Sequence, residues 1–139
     1  MGFLKTFEKD NTLVQNGVWV TVCANEDGTR FEVLVARKHS TNKRWRNRMS
    51  ALVNGKTQLE LEAMDETVGR EQLAKATVGS LLLNWRGLKP TGQGDEVAFS
   101  DDVAVQYLID YPDFYDAVHS IADDGDRYAT QYSESVEKN

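Results

Sequence analysis

The sequence predicts an α+β fold, a mainly helical single domain over residues 1–139 with an N-terminal β-hairpin at about residues 17–36. Three observations predict it. Two β-branched and aromatic runs flank an Asp-Gly turn. The apolar period lengthens from two residues to roughly 3.6 after Thr41. The length of 139 residues supplies one layered core and little material for a second.

Residues 1–10 mix apolar side chains with Lys5, Glu8, Lys9 and Asp10, and with the polar stretch 133–139 they are expected to be flexible. The hairpin comes next. Gly17 to Cys23 reads G-V-W-V-T-V-C and Arg30 to Ala36 reads R-F-E-V-L-V-A, with Asn25-Glu26-Asp27-Gly28 between them. The Asp-Gly pair offers the positive-φ positions of a tight turn. Phe31, Val33 and Val35 alternate with Arg30, Glu32 and Leu34, which gives one apolar face. Cys23, in the first strand, is expected to be a small buried hydrophobe.

From Thr41, Trp45, Met49, Leu52 and Val53 recur at helical spacing with Lys43, Arg44, Arg46 and Arg48 around them, so a short basic helix is predicted, closing at Asn54-Gly55. A longer helix is predicted over much of residues 60–86. Glu66 to Arg70 and Glu71 to Lys75 are its exposed i,i+4 pairs, and Ala74, Val78, Leu81 and Trp85 its buried stripe, with a break near Gly69. Residues 87–99, with three glycines and a proline, predict a loop with a short extended piece at Val97 to Phe99. Ser100 is a helix N-cap followed by Asp101 and Asp102, which suit the positive end of the helix dipole, and Val103, Ala104, Tyr107 and Leu108 face inward. After Tyr111-Pro112-Asp113, a last amphipathic helix is predicted through Phe114, Val118, Ile121, Gly125, Tyr128 and Tyr132, lying on the domain's own core.

Composition then removes whole classes of function. An apolar fraction of 40% with 27% charged residues is the profile of a soluble globular chain. No apolar run approaches the roughly 20 residues of a membrane span, and the N-terminal residues lack a signal-peptide core, so the chain is expected in the cytoplasm of the cell that makes it. One cysteine makes no internal disulfide, and His39 and His119 lie far apart, so no metal or other cofactor is expected. Charge is lopsided. Residues 1–56 carry ten Lys/Arg and five Asp/Glu; the remainder carries six and 17. Such a chain can pair its halves, dock copies head to tail as a homo-oligomer, or meet a charged partner.

No sequence signature of catalysis is present: no phosphate loop, G-x-S-x-G, H-E-x-x-H or dinucleotide fingerprint. Gly92-Gln93-Gly94 lacks the lysine and helix start of a phosphate cradle. Glu60, Glu62, Asp65 and Glu66, like Asp123, Asp124 and Asp126, match no calcium-loop spacing and read as solvated acidic surface. His119 has no nucleophile or carboxylate spaced to make it a catalytic base and reads as a surface residue. The basic helix could grip nucleic acid, but Trp45 falls on its apolar stripe and the acidity elsewhere repels phosphates. An acidic partner suits it better.

Leu83-Asn84-Trp85-Arg86-Gly87-Leu88, a glycine-rich gap, then Val97-Ala98-Phe99-Ser100 resembles a pattern of the tail assembly chaperones of long-tailed phages. Tyr107-Leu108, Tyr111-Pro112-Asp113-Phe114, an acidic helix with Tyr128 and the closing Glu137-Lys138-Asn139 follow in that family's order. The likeness covers residues 70–139; upstream, Gly17-Val18-Trp19-Val20 and the basic segment Asn42 to Arg48 are similar in kind. Residue chemistry alone gives Trp85 and Phe99 the task of pinning the loop to the helices.

The resemblance implies a non-enzymatic chaperone that binds the long helical tape measure protein and keeps it soluble until the tail tube protein, a further partner, polymerises around it. Arg44, Trp45, Arg48, Met49, Tyr107 and Tyr115 are the residues expected to line such a partner-binding groove. Two alternatives stand beside this one: a virion structural protein such as a tail or head-tail joining subunit, and a small nucleic-acid-binding regulator using Arg44, Arg46 and Arg48.

Overall fold

The computed structural model describes residues 2–54, 56, 60, 63 and 65–130. A three-stranded antiparallel sheet, in the order β1-β2-β3, carries its helices on one face. β1 (Val18–Ala24) and β2 (Arg30–Val35) form the expected hairpin, and β3 (Leu82–Arg86) pairs along the other side of β2. Ahead of the hairpin lie α1 (Phe3–Phe7) and α2 (Asn11–Asn16), and behind it α3 (Lys43–Val53), α4 (Glu66–Thr77), α5 (Asp101–Asp110) and α6 (Pro112–Asp123), with a 3-10 turn at Gly125–Tyr128. The α+β, mainly helical fold read from the sequence is the one found.

β2 explains the layering. Its alternation places Phe31, Val33 and Val35 in the core, where they meet Ala74 and Val78 of the α4 end, Leu82 and Trp85 of β3, Ala104 and Leu108 of α5, and Val118 and Ala122 of α6. The opposite sheet face holds Trp19 with the Arg86 guanidinium 4.0 Å over its ring, and Arg86 also reaches Glu32 at 2.9 Å. The hairpin turn uses Gly28 alone at positive φ. Asp27 instead contributes its carboxylate, which accepts the Thr29 amide at 3.0 Å and hydroxyl at 2.6 Å and pairs with Lys89. The Lys89 ammonium and the Thr29 donors hold that carboxyl well below the usual carboxylate range.

The predicted helix over residues 60–86 is divided. Its first part is α4, with both i,i+4 pairs in place (3.2 Å and 3.0 Å) and no break at Gly69. The helix ends at Thr77, Gly79 turns the chain at φ +87°, and Leu82–Arg86 becomes β3. Ala74, Val78, Leu81 and Trp85 are all buried as expected, but in a helix, its cap, a turn and a strand. Period alone could not separate these, because four buried residues spanning a turn into a central-sheet pairing mimic one helical stripe. The β2 pairing decides it.

Other expectations change as well. Cys23 is exposed: β1 is an edge strand, a bulge interrupts its register between Thr21 and Cys23, and its last four residues are uncovered. The last helix stops at Asp123 rather than continuing to Tyr128, since the Asp124 carboxylate caps a fresh 3-10 turn; Tyr132 lies outside the described residues, as does the stretch 133–139. Tyr128 is fully buried nonetheless, its hydroxyl donating to Val35 O at 2.9 Å. Val97 to Phe99 is not a strand. Asn54 ends α3 in extended rather than left-handed conformation, and Gly55 is outside the described residues. Ser100 caps α5 as expected, its Oγ accepting the Val103 amide at 3.3 Å.

The 87–99 loop is pinned from three sides. Trp85 Nε1 donates to Val97 O at 2.8 Å, and the Trp85 ring meets Phe99 edge-on at 5.0 Å. Glu26 N–H donates to Gly92 O at 2.8 Å, which ties the loop to the hairpin turn. Gly87 has φ +75° and a Cβ there would fall 2.0 Å from Arg30 O, so the chain passes β2 only because the side chain is missing.

Candidate functional site

Two neighbouring regions on the helical side hold the chain's unusual side chains. The first begins with Asn42. This fully buried residue caps α3 by accepting the Trp45 amide at 3.3 Å, while its Nδ2 donates to Arg37 O and Ser80 O, each at 2.9 Å. Asn42 thereby locks the basic helix to the turn before β3 and fixes the direction in which Trp45 leaves the backbone.

Trp45 then meets His119 of α6 edge-on, ring centroids 5.9 Å apart, and Tyr115 stacks on the other side of that imidazole at 4.1 Å. His119 is buried, correcting the surface position expected for it. α6 turns His119 inward beside Val118, a step that a reading of spacing alone could not place. Its two ring nitrogens have separate tasks. Nδ1 lies 3.1 Å from Lys38 Nζ, an obligate donor, so it accepts; Nε2 is then the protonated nitrogen, donating to Thr77 Oγ1 at 2.9 Å, whose own hydroxyl donates to Leu73 O at 2.7 Å. Burial and the Lys38 charge hold the imidazole down at a pKa of about 4 against 6.5, with Asp123 opposing. Burial likewise pushes the Tyr115 phenol up. Lys38 is itself paired with Asp123 at 3.3 Å. The chain Asp123, Lys38, His119, Thr77 and Leu73 O is thus a satisfied hydrogen-bond line through the helical layer. The Thr77 hydroxyl is buried and committed to a backbone carbonyl, so this line orders side chains rather than arming a nucleophile.

The second region is a cleft of about 410 Å³ between α4 and the α5–α6 junction. Leu73, Leu108, Pro112 and Tyr115 give it an apolar floor. Asp65, Glu66 and Asp116 stand on its rim, with Arg70 the cation there and held by Glu66. Leu73 is 37% exposed and Val68, on another side of the helix, 45%, so α4 shows apolar surface outside its buried stripe.

The expected partner-binding residues separate. Tyr115 lines the cleft and also stacks on the histidine that Trp45 touches. Met49 stands one turn from Trp45, and the two share a shallow groove with Arg46 and Val53. Tyr107 is elsewhere, edge-on to Trp85 at 5.7 Å. Arg44 turns back to Gln15 O, and Arg48 inserts its guanidinium among the C-terminal carbonyls of α4, at Lys75 (3.4 Å), Ala76 (3.5 Å) and Val78. Those carbonyls have no intrahelical partner, and a cation there also meets the negative helix end. Sequence reading missed Leu73, Leu108, Pro112 and the acidic rim. The available signal was Val68 and Leu73 standing off the Ala74 stripe.

Among the described residues no group of three or more His, Cys, Asp or Glu could hold a metal ion, and no helix is long and apolar enough to cross a membrane. The acidic residues have local work: Asp65 caps α4 and Asp124 caps the 3-10 turn and pairs with Arg127. Against known proteins, the family model described as YdaY prophage protein matches residues 36–139, about three quarters of the chain. No curated protein and no solved structure matches it.

Proposed function

We propose that this chain, which belongs to the YdaY prophage protein family and is therefore phage-derived, serves as a tail assembly chaperone that shields an amphipathic helix of the tape measure protein. One observation carries the reading: the cleft between α4 and the α5–α6 junction has an apolar floor and an acidic rim, the geometry of a helix-in-groove site. A volume of about 410 Å³ takes the two or three apolar side chains that one face of a short helix presents, and the rim favours a helix with basic flanks. A long unassembled helix would otherwise expose that face and aggregate. The site needs no cofactor and performs no chemistry on its partner.

The engaged arginines weigh against the nucleic-acid reading. Arg48 is half-buried and committed to the carbonyls at the end of α4, and the exposed Arg44 also donates to Gln15 O, so two of the three cations that would meet phosphates already have backbone partners.

Co-expression with the tape measure protein of the same phage tests the proposal. Capture of the two together, a gain in tape measure solubility, and loss of both with Leu73→Glu are expected. Lack of association by a folded chain would refute it, and recovery of the chain in purified particles would favour the virion-subunit alternative.

A further inference from the structure

The chain carries 22 Asp/Glu against 16 Lys/Arg, and Lys38, Arg70, Lys75, Arg86, Lys89 and Arg127 each pair with a carboxylate. Arg37 does not. It is half-buried, yet its guanidinium makes no ion pair and no hydrogen bond among the described residues, whereas the half-buried Arg48 is held by backbone carbonyls.

Arg37 lines a cleft of about 430 Å³ between the α1–α2 segment and the chain that follows β2. Lys9, Asn11, His39 and Thr41 complete its polar lining, and Phe7 and Val14 its apolar lining. No carboxylate lines it. Asp10, beside Lys9, is turned to the Thr12 and Leu13 amides, and Asp124, beside Gly125, to the Asp126 amide and Arg127. The two walls are tied together, Arg37 N–H donating to Val14 O at 3.2 Å and the Gln15 side-chain amide to Thr41 O at 2.5 Å, so the donors stand on a fixed frame.

A glycine lets the cations meet. The position of a Cβ on Gly125 lies 3.1 Å from Arg37 Nη2 and 3.6 Å from Lys9 Cε, which sets the guanidinium and the end of the lysine side by side. Like charges so placed repel, and an anion between them turns that cost into attraction. Lys9 Nζ gives one proton to Thr6 O at 3.2 Å and keeps two. His39 Nδ1 accepts the Thr41 amide at 3.1 Å, which leaves the ring proton on Nε2. Asn11 Oδ1 accepts Gln15 Nε2 at 3.2 Å, which leaves Asn11 Nδ2 to donate. Four donor groups, two of them cationic and one a planar fork, exceed what the two oxygens of a carboxylate use and match those of a phosphate. The volume also leaves room beyond the anion, along Phe7 and Val14.

We infer that this cleft binds a phosphate group carried on a small organic body, with the phosphate between Arg37 and Lys9. It shares no lining residue with the α4 cleft and stands or falls apart from the chaperone reading. Isothermal titration calorimetry on the full chain at low salt tests it, with adenosine 5′-monophosphate, ribose 5-phosphate, adenosine, inorganic phosphate and succinate as probes. At least one of the two esters is expected to bind saturably, about tenfold or more tighter than inorganic phosphate or succinate, and adenosine not to bind. Equal binding of the two esters assigns a sugar phosphate; tighter binding of the nucleotide assigns a nucleotide. Arg37→Gln and Lys9→Gln, with cooperative unfolding retained, are each expected to weaken the ester about tenfold or more. Phe7→Ala is expected to weaken the ester severalfold and leave inorganic phosphate unchanged, a split that loss of folding does not produce. No saturable binding of either ester, succinate or inorganic phosphate bound as tightly, or unaltered affinity in the folded Arg37 and Lys9 variants overturns the inference.

Discussion

Trp85 and Trp45 each stand at the centre of an aromatic cluster, and the two clusters are built on opposite terms. Trp85 is 4% exposed, ringed by Phe31, Phe99, Tyr107 and Phe114, and its indole N–H is satisfied by a loop carbonyl. Trp45 is half-buried, leans on His119, and lies beside a polar line running from Asp123 to Leu73 O. The first cluster closes a core; the second joins two helices through groups that require partners and can titrate. A residue type therefore says little about its role until its neighbours are known.

Truncation separates the two most strongly. Trp85→Ala removes a ring from four aromatic neighbours and frees the 87–99 loop, so it is expected to cost about 3–5 kcal/mol of stability. Trp45→Ala, at a half-buried site, is expected to cost about 1–2 kcal/mol. Urea denaturation of both variants checks the ordering, and equal losses would break the contrast.

Gly87→Ala tests the first region from its backbone. The new Cβ would meet Arg30 O at 2.0 Å at a φ of +75°, and neither atom belongs to a flexible side chain. A loss of at least about 2 kcal/mol is expected, with Tm as the measurement. Gly79 is the gentler counterpart, because the atoms nearest its Cβ position are those of the Arg48 guanidinium, which can swing away.

Arg48→Met probes the second region next. It keeps the stem but takes the guanidinium from the carbonyls of Lys75, Ala76 and Val78, of which Ala76 keeps the Ser80 hydroxyl, for an expected loss of about 1–2 kcal/mol. Hydrogen exchange should rise first at the C-terminal turn of α4, and unchanged protection there would remove the capping role.

The hairpin, the α5 cap, the 87–99 loop and the exposed pairs of α4 were legible in the sequence because each is decided by neighbours a few residues away. Asp27 and Gly28 make their own turn and Ser100 accepts from Val103. What was not legible depends on partners far along the chain. β3 exists because Leu34 and Glu32 offer a ladder to Asn84 and Arg86, some fifty residues later. Leu81 and Trp85 were correctly buried and wrongly helical for that reason. His119 is buried because Thr77 and Lys38, 42 and 81 residues distant, complete its two nitrogens. Of the candidate cleft, Tyr115 was named, but its floor is assembled from three helices and no local pattern announces it.

The histidine gives the smallest effect and the sharpest difference between the clusters, since of the two only the Trp45 cluster contains an imidazole. With the folded pKa depressed to about 4 from 6.5, the unfolded chain binds the proton first as pH falls. Stability from this source is therefore intact above about pH 6.5, declines as pH drops towards about 4, and levels off below. The folded state resists protonation first because the ring is buried, and then because a charged imidazole would turn an N–H towards the Lys38 ammonium and lose the acceptor that Lys38 uses. Carboxylates titrate in the lower part of the same window, so the wild-type slope alone decides nothing. His119→Gln can keep a hydrogen bond to Thr77 while having no proton to take up, and its stability should fall less steeply between pH 6.5 and 4. Parallel urea-denaturation profiles for the two proteins across that range would remove His119 as a source of acid sensitivity, whereas a difference confined to it would assign the sensitivity to this single buried ring.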